Sequence, residues 1–243
     1  MGLFDFLSRD SKDTRAVGKW SKRLMAKYQQ TAERKRAIEA LASIGSEEAV
    51  VALLRRYQYR TEATIVDEDE KEMVFHFVVQ LGESAVPGLI QYIQNDTHLY
   101  WPIKALREIV GDEEAATQVL LALDGIDDSF GANRDRREQL VDNLRGLASD
   151  ERVFERLVTM VSDDDEEIVI RAIDGLSTRS GELEVTQAVV PLLLDDERSH
   201  RVRTMIMELM IQHEWNVKRF KRSLLGKIPD SYFIDDTGVV RRK

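Results

Sequence analysis

The feature that most constrains this chain is one helical pattern that recurs along most of its length. Apolar residues three and four apart, as in Ala37, Leu41 and Ile44, mark one helix face, and Gly45 then ends the helix. A second apolar helical run follows at once. The arrangement occurs six times, with the turn inside each pair near Gly45, Gly82, Gly111, Ala148, Gly181 and Gln212.

Two helices in each unit of roughly 30 to 40 residues are typical of an α-solenoid. One amphipathic pair cannot bury both of its apolar faces, whereas stacking on its neighbours does so. We therefore predict an all-α fold of about six helix pairs, with a basic capping helix and an apolar tip before them and a short hairpin or tail after them. The predicted boundaries are 1–31 for the tip and cap, 32–60, 68–95, 97–124, 132–161, 165–195 and 197–225 for the pairs, and 226–243 for the hairpin or tail.

Several of these helices resemble HEAT repeats. The stretch "LGESAVPGLIQYI" (81–93) looks like the second half of such a repeat, and "VIRAIDGL" (169–176) and "RVRTMIMEL" (201–209) look like the first half. The resemblance covers about residues 32–225, and the whole chain is similar to small bacterial HEAT-repeat proteins. It implies a right-handed, armadillo-type α-solenoid that acts as a protein-binding scaffold or adaptor.

The sequence offers little of the chemistry that enzymes use. It has no Cys, which excludes disulfides, Cys-based zinc sites and a Cys nucleophile. It has four His, and its one His-Glu pair, His213–Glu214, cannot assemble a di-iron site of the kind some HEAT-fold enzymes hold. It has no glycine-rich phosphate-binding loop. We expect a non-enzymatic protein with no catalytic residue, no cofactor and no metal.

The acidic clusters Asp67–Glu72 and Asp163–Glu167 are interpreted as starts of helices rather than as metal sites. Carboxylates stabilise the positive end of the helix dipole, and Asp caps free amides there. Neither cluster has the glycine that a calcium-binding EF-hand loop requires. Trp101, in "HLYWPIKAL", is expected to pack in the core.

Charge is distributed unevenly. Residues 61–200 contain 12 Lys/Arg and 32 Asp/Glu, whereas both ends are basic. An acidic middle would repel a nucleic acid and attract a partner protein or peptide with basic segments. We place partner contacts on the concave face that the second helices would form, although the long connections 58–70 and 124–135 are open alternatives. The candidate partner-binding residues are Arg55, Tyr59, Gln91, Tyr92, Gln118, Arg152, Arg156, Lys218 and Arg222.

Two other functions stay open at this point. A HEAT-fold alkylpurine DNA glycosylase has a similar length, but it needs a basic concave face. A peripheral membrane adaptor would use the basic helix "VGKWSKRLMAKYQQ" within residues 1–30, which we otherwise expect to close the array. Because no apolar run approaches the roughly 20 residues of a membrane span, we expect a cytoplasmic protein.

Overall fold

The computed structural model describes residues 3–26, 28–126, 131–179 and 183–243, with side chains from Asp13 onward except at Ala132. Across these residues the chain is helical apart from one small two-stranded sheet, which confirms the predicted all-α class. It divides into two compact units, Met1–Gln139 and Leu140–Lys243.

In its described residues the first unit contains seven complete helices and the beginning of an eighth. They are α1 (Leu3–Leu24), α2 (Thr31–Ile44), α3 (Glu47–Leu54), α4 (Thr64–Leu81), α5 (Val86–Asn95), α6 (Tyr100–Val110), α7 (Asp112–Asp124) and α8 (Ala132–Leu144). Two short 3-10 helices, Arg55–Gln58 and Gly82–Ala85, follow α3 and α4.

The turns inside these pairs form where the sequence places glycine. Gly45, Gly82 and Gly111 all have positive φ angles, between 58° and 84°, which L-residues rarely adopt and which end α2, α4 and α6. Ser46 then caps α3, because its hydroxyl accepts a hydrogen bond from the Ala49 amide at 3.3 Å. The predicted turn at Gly181 lies outside the described residues.

Helices of the first unit pack in two rows. The first helices of the pairs form one row, in which α2 contacts α4 and α4 contacts α6. The second helices form the other, in which α3 contacts α5 and α5 contacts α7. Helix α1 packs on α2 and α3 and buries Val17 and Leu24. The apolar tip predicted near the N-terminus is the first part of α1.

One predicted boundary in this unit was wrong. Helix α4 begins at Thr64, so the connection predicted over 58–70 is a shorter link over 59–63. The acidic cluster Asp67–Glu72 therefore lies inside α4 rather than before it. Asp67 and Glu70 are buried there, because arginines from neighbouring segments neutralise them.

The second unit contains the rest of α8 and the remaining elements. They are α9 (Glu151–Met160), α10 (Glu166–Leu176), α11 (Leu183–Leu194), α12 (His200–Gln212), α13 (Lys221–Leu224), β1 (Tyr232–Ile234) and β2 (Val240–Arg242). Short 3-10 helices cover Arg145–Leu147, Ser177–Arg179 and Lys218–Phe220. Helix α10 packs on α9 and α12, and α12 packs on α11 and β2.

The second acidic cluster does start a helix. Asp165 caps α10 by accepting a hydrogen bond from the Glu167 amide at 3.0 Å, and Asp163 accepts one from the Asp165 amide at 2.9 Å. Glu167 pairs with Arg171 one turn later and with Arg201 on α12. These acids therefore cap a helix and form surface ion pairs.

The second helix predicted for the sixth pair begins only at Lys218, as a 3-10 turn followed by the short α13, and the residues before it are not helical. After α12 ends at Gln212, Glu214 takes a φ of 49° and Asn216 forms a β-bridge with Val239. The Val217 amide donates to the Gly238 carbonyl at 2.8 Å, so it is not available to a helix. The prediction was wrong here because the C-terminal hairpin takes up these backbone groups.

That hairpin was predicted from its Asp-Thr-Gly turn, and the structure confirms it. Strands β1 and β2 pair antiparallel, with Ile234 opposite Val240. The Asp235 carboxylate accepts hydrogen bonds from the Thr237 hydroxyl and the Val239 amide, which hold its pKa below the usual range.

Among the described residues, one continuous helical stretch, Thr64–Asn95, is long and apolar enough by length and composition to cross a membrane. It consists of α4, a 3-10 turn and α5, and it bends at Gly82. A single stretch of this kind is weak support for a membrane role, because core helices of soluble proteins meet the same criterion.

The two rows predict a specific effect of substituting Gly88. A Cβ atom there would lie 2.8 Å from the Val50 Cβ and 2.9 Å from the Glu47 carbonyl oxygen, both on α3. Gly88→Ala should therefore push α5 from α3 and lower the free energy of unfolding by about 1–3 kcal/mol.

Gly18→Ala is the matched control, because a Cβ there meets nothing within 4 Å and Gly18 lies within α1. It should raise stability by roughly 0.5–1 kcal/mol. Urea unfolding of the full chain measures both changes. A Gly88→Ala protein as stable as the wild type would contradict the close packing of α3 on α5.

Candidate functional site

Four buried charged residues and the half-buried Lys71 form one cluster in the first unit. This charge cluster consists of Arg34 on α2, Arg56 in the 3-10 helix after α3, and Asp67, Glu70 and Lys71 on α4. Spacings of three and four residues put the three α4 residues on one face of that helix. The cluster thus joins the first helix pair to the first helix of the second pair.

Glu70 is shared between two arginines. Its carboxylate accepts hydrogen bonds from the Arg34 Nε at 3.0 and 3.1 Å and from the Arg56 Nε at 2.7 Å. Glu70 and Arg56 are both 0% exposed to solvent. Charge-assisted hydrogen bonds in such surroundings are strong and directional, so Glu70 fixes the distance between α2, α4 and the end of α3.

Asp67 extends the cluster towards the surface. It pairs with Arg56 at 2.7 Å and with Lys71 at 2.6 Å, and it accepts the Thr61 amide at 2.9 Å. Burial alone would raise the pKa of Asp67, but hydrogen bonds from Lys71 and Arg56 outweigh it and lower the pKa to about 2. Asp67 is therefore ionised at neutral pH, and its bond to the Thr61 amide orders the short link before α4.

Arg34 and Arg56 also bind backbone carbonyl groups. Arg56 donates to the Tyr59 carbonyl at 3.0 Å and stacks over the Tyr59 ring at 4.4 Å. Arg34 donates to the Gln29 carbonyl, and the Tyr59 hydroxyl donates to the Leu24 carbonyl at 2.6 Å. The cluster consequently ties the end of the capping helix α1 to the same centre.

A cleft of about 340 Å³ opens beside the charge cluster. We call it the aromatic cleft and define it by six of its lining residues, Tyr57, Arg60, Lys71, His98, Tyr100 and Trp101. Tyr57 and Trp101 stack with their planes 6° apart and their ring centroids 6.0 Å apart. Trp101 is only half-buried, so the expectation that it packs in the core holds in part.

His98 shapes one side of this cleft. Its φ angle of 63° is uncommon for a non-glycine residue. The turn at His98 directly precedes α6, whose entry is fixed by a hydrogen bond from the Leu99 amide to the Gln139 side chain at 2.9 Å. Tyr100 follows and is 59% exposed.

The predicted partner-binding residues of the first unit differ in how far they are exposed to solvent. Arg55 and Gln91 are exposed on the second-helix row, and Gln118 is half-buried and donates to Glu114 at 2.8 Å. Tyr59 is half-buried and belongs to the surroundings of the charge cluster. Tyr92 is 0% exposed, so its assignment as a contact residue was wrong: helical phase directs it into the core.

The predicted partner-binding residues of the second unit lie on α9 and in the segment around α13. Arg152 and Arg156 are on α9, and Arg152 pairs with the helix-capping Asp150 at 2.6 Å. Lys218 and Arg222 are exposed in the basic segment around α13.

The charge cluster was missed at the level of sequence, although a signal for it is present. The buried stripe of α4 contains Val74 and Val78. Counting back from Val74 by four and then by three residues reaches Glu70 and Asp67. Likewise, Arg34 precedes the buried Ala37 by three. On both helices the face that carries buried apolar residues therefore also carries charged residues. Charged residues on a buried helix face indicate a buried ion pair.

In the part of the chain that the structure describes, no group of three or more His, Asp and Glu side chains is arranged to hold a metal ion.

No protein-family model, curated protein or solved structure matches this chain. The likeness of its helix pairs to HEAT repeats therefore stays a prediction from the residues themselves.

Removing one member of the charge cluster should be costly. Glu70→Gln keeps the shape of the side chain but leaves the buried Arg34 guanidinium without its anion and Arg56 with Asp67 alone. We expect the free energy of unfolding to fall by about 3–5 kcal/mol, because an uncompensated buried charge is strongly destabilising.

Glu72→Gln is the matched control, since Glu72 lies two residues later on α4 and is exposed. It should change stability by less than about 0.5 kcal/mol. Both variants are compared with the wild type by urea unfolding. Equal effects of the two substitutions would show that the cluster does not hold the first unit together.

Proposed function

We propose that this chain is a right-handed HEAT-like α-solenoid of about six helix pairs that serves as a non-enzymatic scaffold or adaptor for another protein. The observation that carries the proposal is the pair of helix rows in the first unit, where α3, α5 and α7 pack side by side. Such a row offers a preformed surface whose outward side chains face a partner.

The exposed side chains of this row suit polar recognition. Glu48 on α3 and Glu114 on α7 are exposed acids, and Arg55 and Gln91 lie exposed at α3 and on α5. Together with the excess of Asp and Glu over residues 61–200, these acids favour a partner with basic segments. Association of this kind weakens as salt screens the charges.

The rigidity of the first unit also supports the proposed scaffold function. The charge cluster holds α2, α4 and the end of α3 in one arrangement before any partner arrives. A preformed surface lowers the entropy that binding has to overcome, because fewer groups are ordered on association. A scaffold that presents fixed helices gains most from this effect.

The two alternatives have less support. A DNA glycosylase-like role needs a basic groove, whereas the second-helix row carries acids. A membrane role for α1 needs a free apolar face, whereas Val17 and Leu24 of α1 are buried. The Trp20 ring is covered by Lys19 and Arg23, at 5.0 and 4.8 Å from its centroid.

Affinity purification of the full chain from its native cell, without cross-linking, tests the proposal. We expect the wild type to capture a protein partner that about 0.5 M NaCl releases. A double variant on the second-helix row, Glu48→Lys with Glu114→Lys, should lose that partner.

The control is Glu39→Lys with Glu108→Lys, which makes the same change in charge on exposed positions of α2 and α6 in the other row. This variant should retain the partner. Equal retention by both double variants, or capture that ignores salt, would contradict recognition by the second-helix row. Far-ultraviolet circular dichroism confirms that each variant is folded.

A further inference from the structure

The aromatic cleft differs in charge from the acidic stretch of sequence that surrounds it. Arg60 and Lys71 line it, and no carboxylate does so among the described residues. Within the described part of the chain, the Arg60 guanidinium has no ion-pair partner, although Arg34, Arg56 and Arg107 each have one. An exposed, unpaired guanidinium beside a cleft is available to an anionic group of a ligand.

Aromatic surface adjoins these cations. The exposed Tyr100 ring stands edge-on to Trp101, with their centroids 5.5 Å apart, and Trp101 stacks on the buried Tyr57. Exposed, amphipathic aromatic rings are the side chains that most often anchor protein contacts. The cleft thus presents aromatic ring surface next to the Arg60 guanidinium.

The walls are fixed before a ligand binds. Lys71 is held by Asp67 at 2.6 Å and Glu68 at 3.3 Å. Tyr59, which also lines the cleft, is fixed by Arg56 and by the Leu24 carbonyl. The backbone of His98 is held in the left-handed region. Such conformations are often found at functional sites, where the surrounding structure maintains them.

We infer that the aromatic cleft binds a short acidic segment of a partner protein in which an aromatic residue stands next to carboxylates. The aromatic ring packs on Tyr100 and Trp101, and a neighbouring carboxylate pairs with Arg60. This inference rests on the proposed function, because it assigns the cleft to a protein partner. It adds an acidic, aromatic segment to a partner whose other segments are basic.

A long polyanion fits this location less well. Glu68, Asp69 and Glu72 are exposed on α4, the helix that contributes Lys71 to the cleft. They would repel the phosphates of a nucleic acid strand that continues beyond the cleft. A short segment with its few carboxylates at Arg60 avoids that repulsion.

Binding of dye-labelled peptides to the full chain, followed by fluorescence anisotropy at about 0.15 M salt, tests the inference. The probes are the pentapeptides EEFEE, EEAEE and the uncharged QQFQQ and a dye-labelled oligothymidine. We expect EEFEE to bind at least about tenfold more tightly than QQFQQ and several-fold more tightly than EEAEE.

The variant Arg60→Glu should weaken EEFEE binding by about tenfold or more, since it replaces an attractive charge by a repulsive one. Arg15→Glu makes the same change at another exposed arginine, which lies on α1 outside the cleft lining, and should weaken binding by about twofold at most.

Three results would overturn the inference: no EEFEE binding below about 1 mM, equal effects of the two variants, or oligothymidine binding that exceeds EEFEE binding and is lost with Arg60→Glu. The last result would make the cleft a nucleic acid site. The peptide assay does not involve the native partner, so its failure removes the cleft assignment and leaves the scaffold proposal to the capture experiment.

Discussion

The first unit depends on one carboxylate, that of Glu70, which two arginines from different segments share. A buried pair of this kind is not a large net source of stability, because removing the charges from water costs about as much as their attraction returns. Its effect is on specificity. Arg34 and Arg56 each have one position that satisfies Glu70, so α2, α4 and the end of α3 have one mutual arrangement. Apolar side chains alone would permit more sliding between these helices.

This constraint also explains why the aromatic cleft lies where it does. Lys71 and Tyr59 take part both in the surroundings of the charge cluster and in the lining of the cleft. The link 59–63 is anchored by the Thr61 amide on Asp67, which places Arg60 at the mouth of the cleft. Structure and proposed recognition are thus coupled through the same few residues, and a loss of the cluster would disturb both.

The helices themselves could be predicted, because apolar spacing and the glycines at 45, 82 and 111 are local signals. Capping by Asp165 and the Asp-Thr-Gly hairpin are local as well. The beginning of α4 could not be placed from the acids near it, since their burial depends on arginines 11 and 36 residues away. The start of the second helix of the sixth pair was misplaced for a similar reason: the hairpin that accepts the Val217 amide comes later in the chain. Tyr92 shows that an amphipathic pattern does not place individual polar aromatic residues.

Native-state amide hydrogen exchange of the full chain tests the central claim most directly, because it measures the free energy at which each helix opens. If Glu70 unites the helices around it, the buried amides of Leu41 on α2 and Val74 on α4 should open in one cooperative unit. They should then have equal opening free energies that decrease together in the Glu70→Gln protein. Separate opening of α2 and α4 in the wild type, or loss of protection in α4 alone in the variant, would contradict the account.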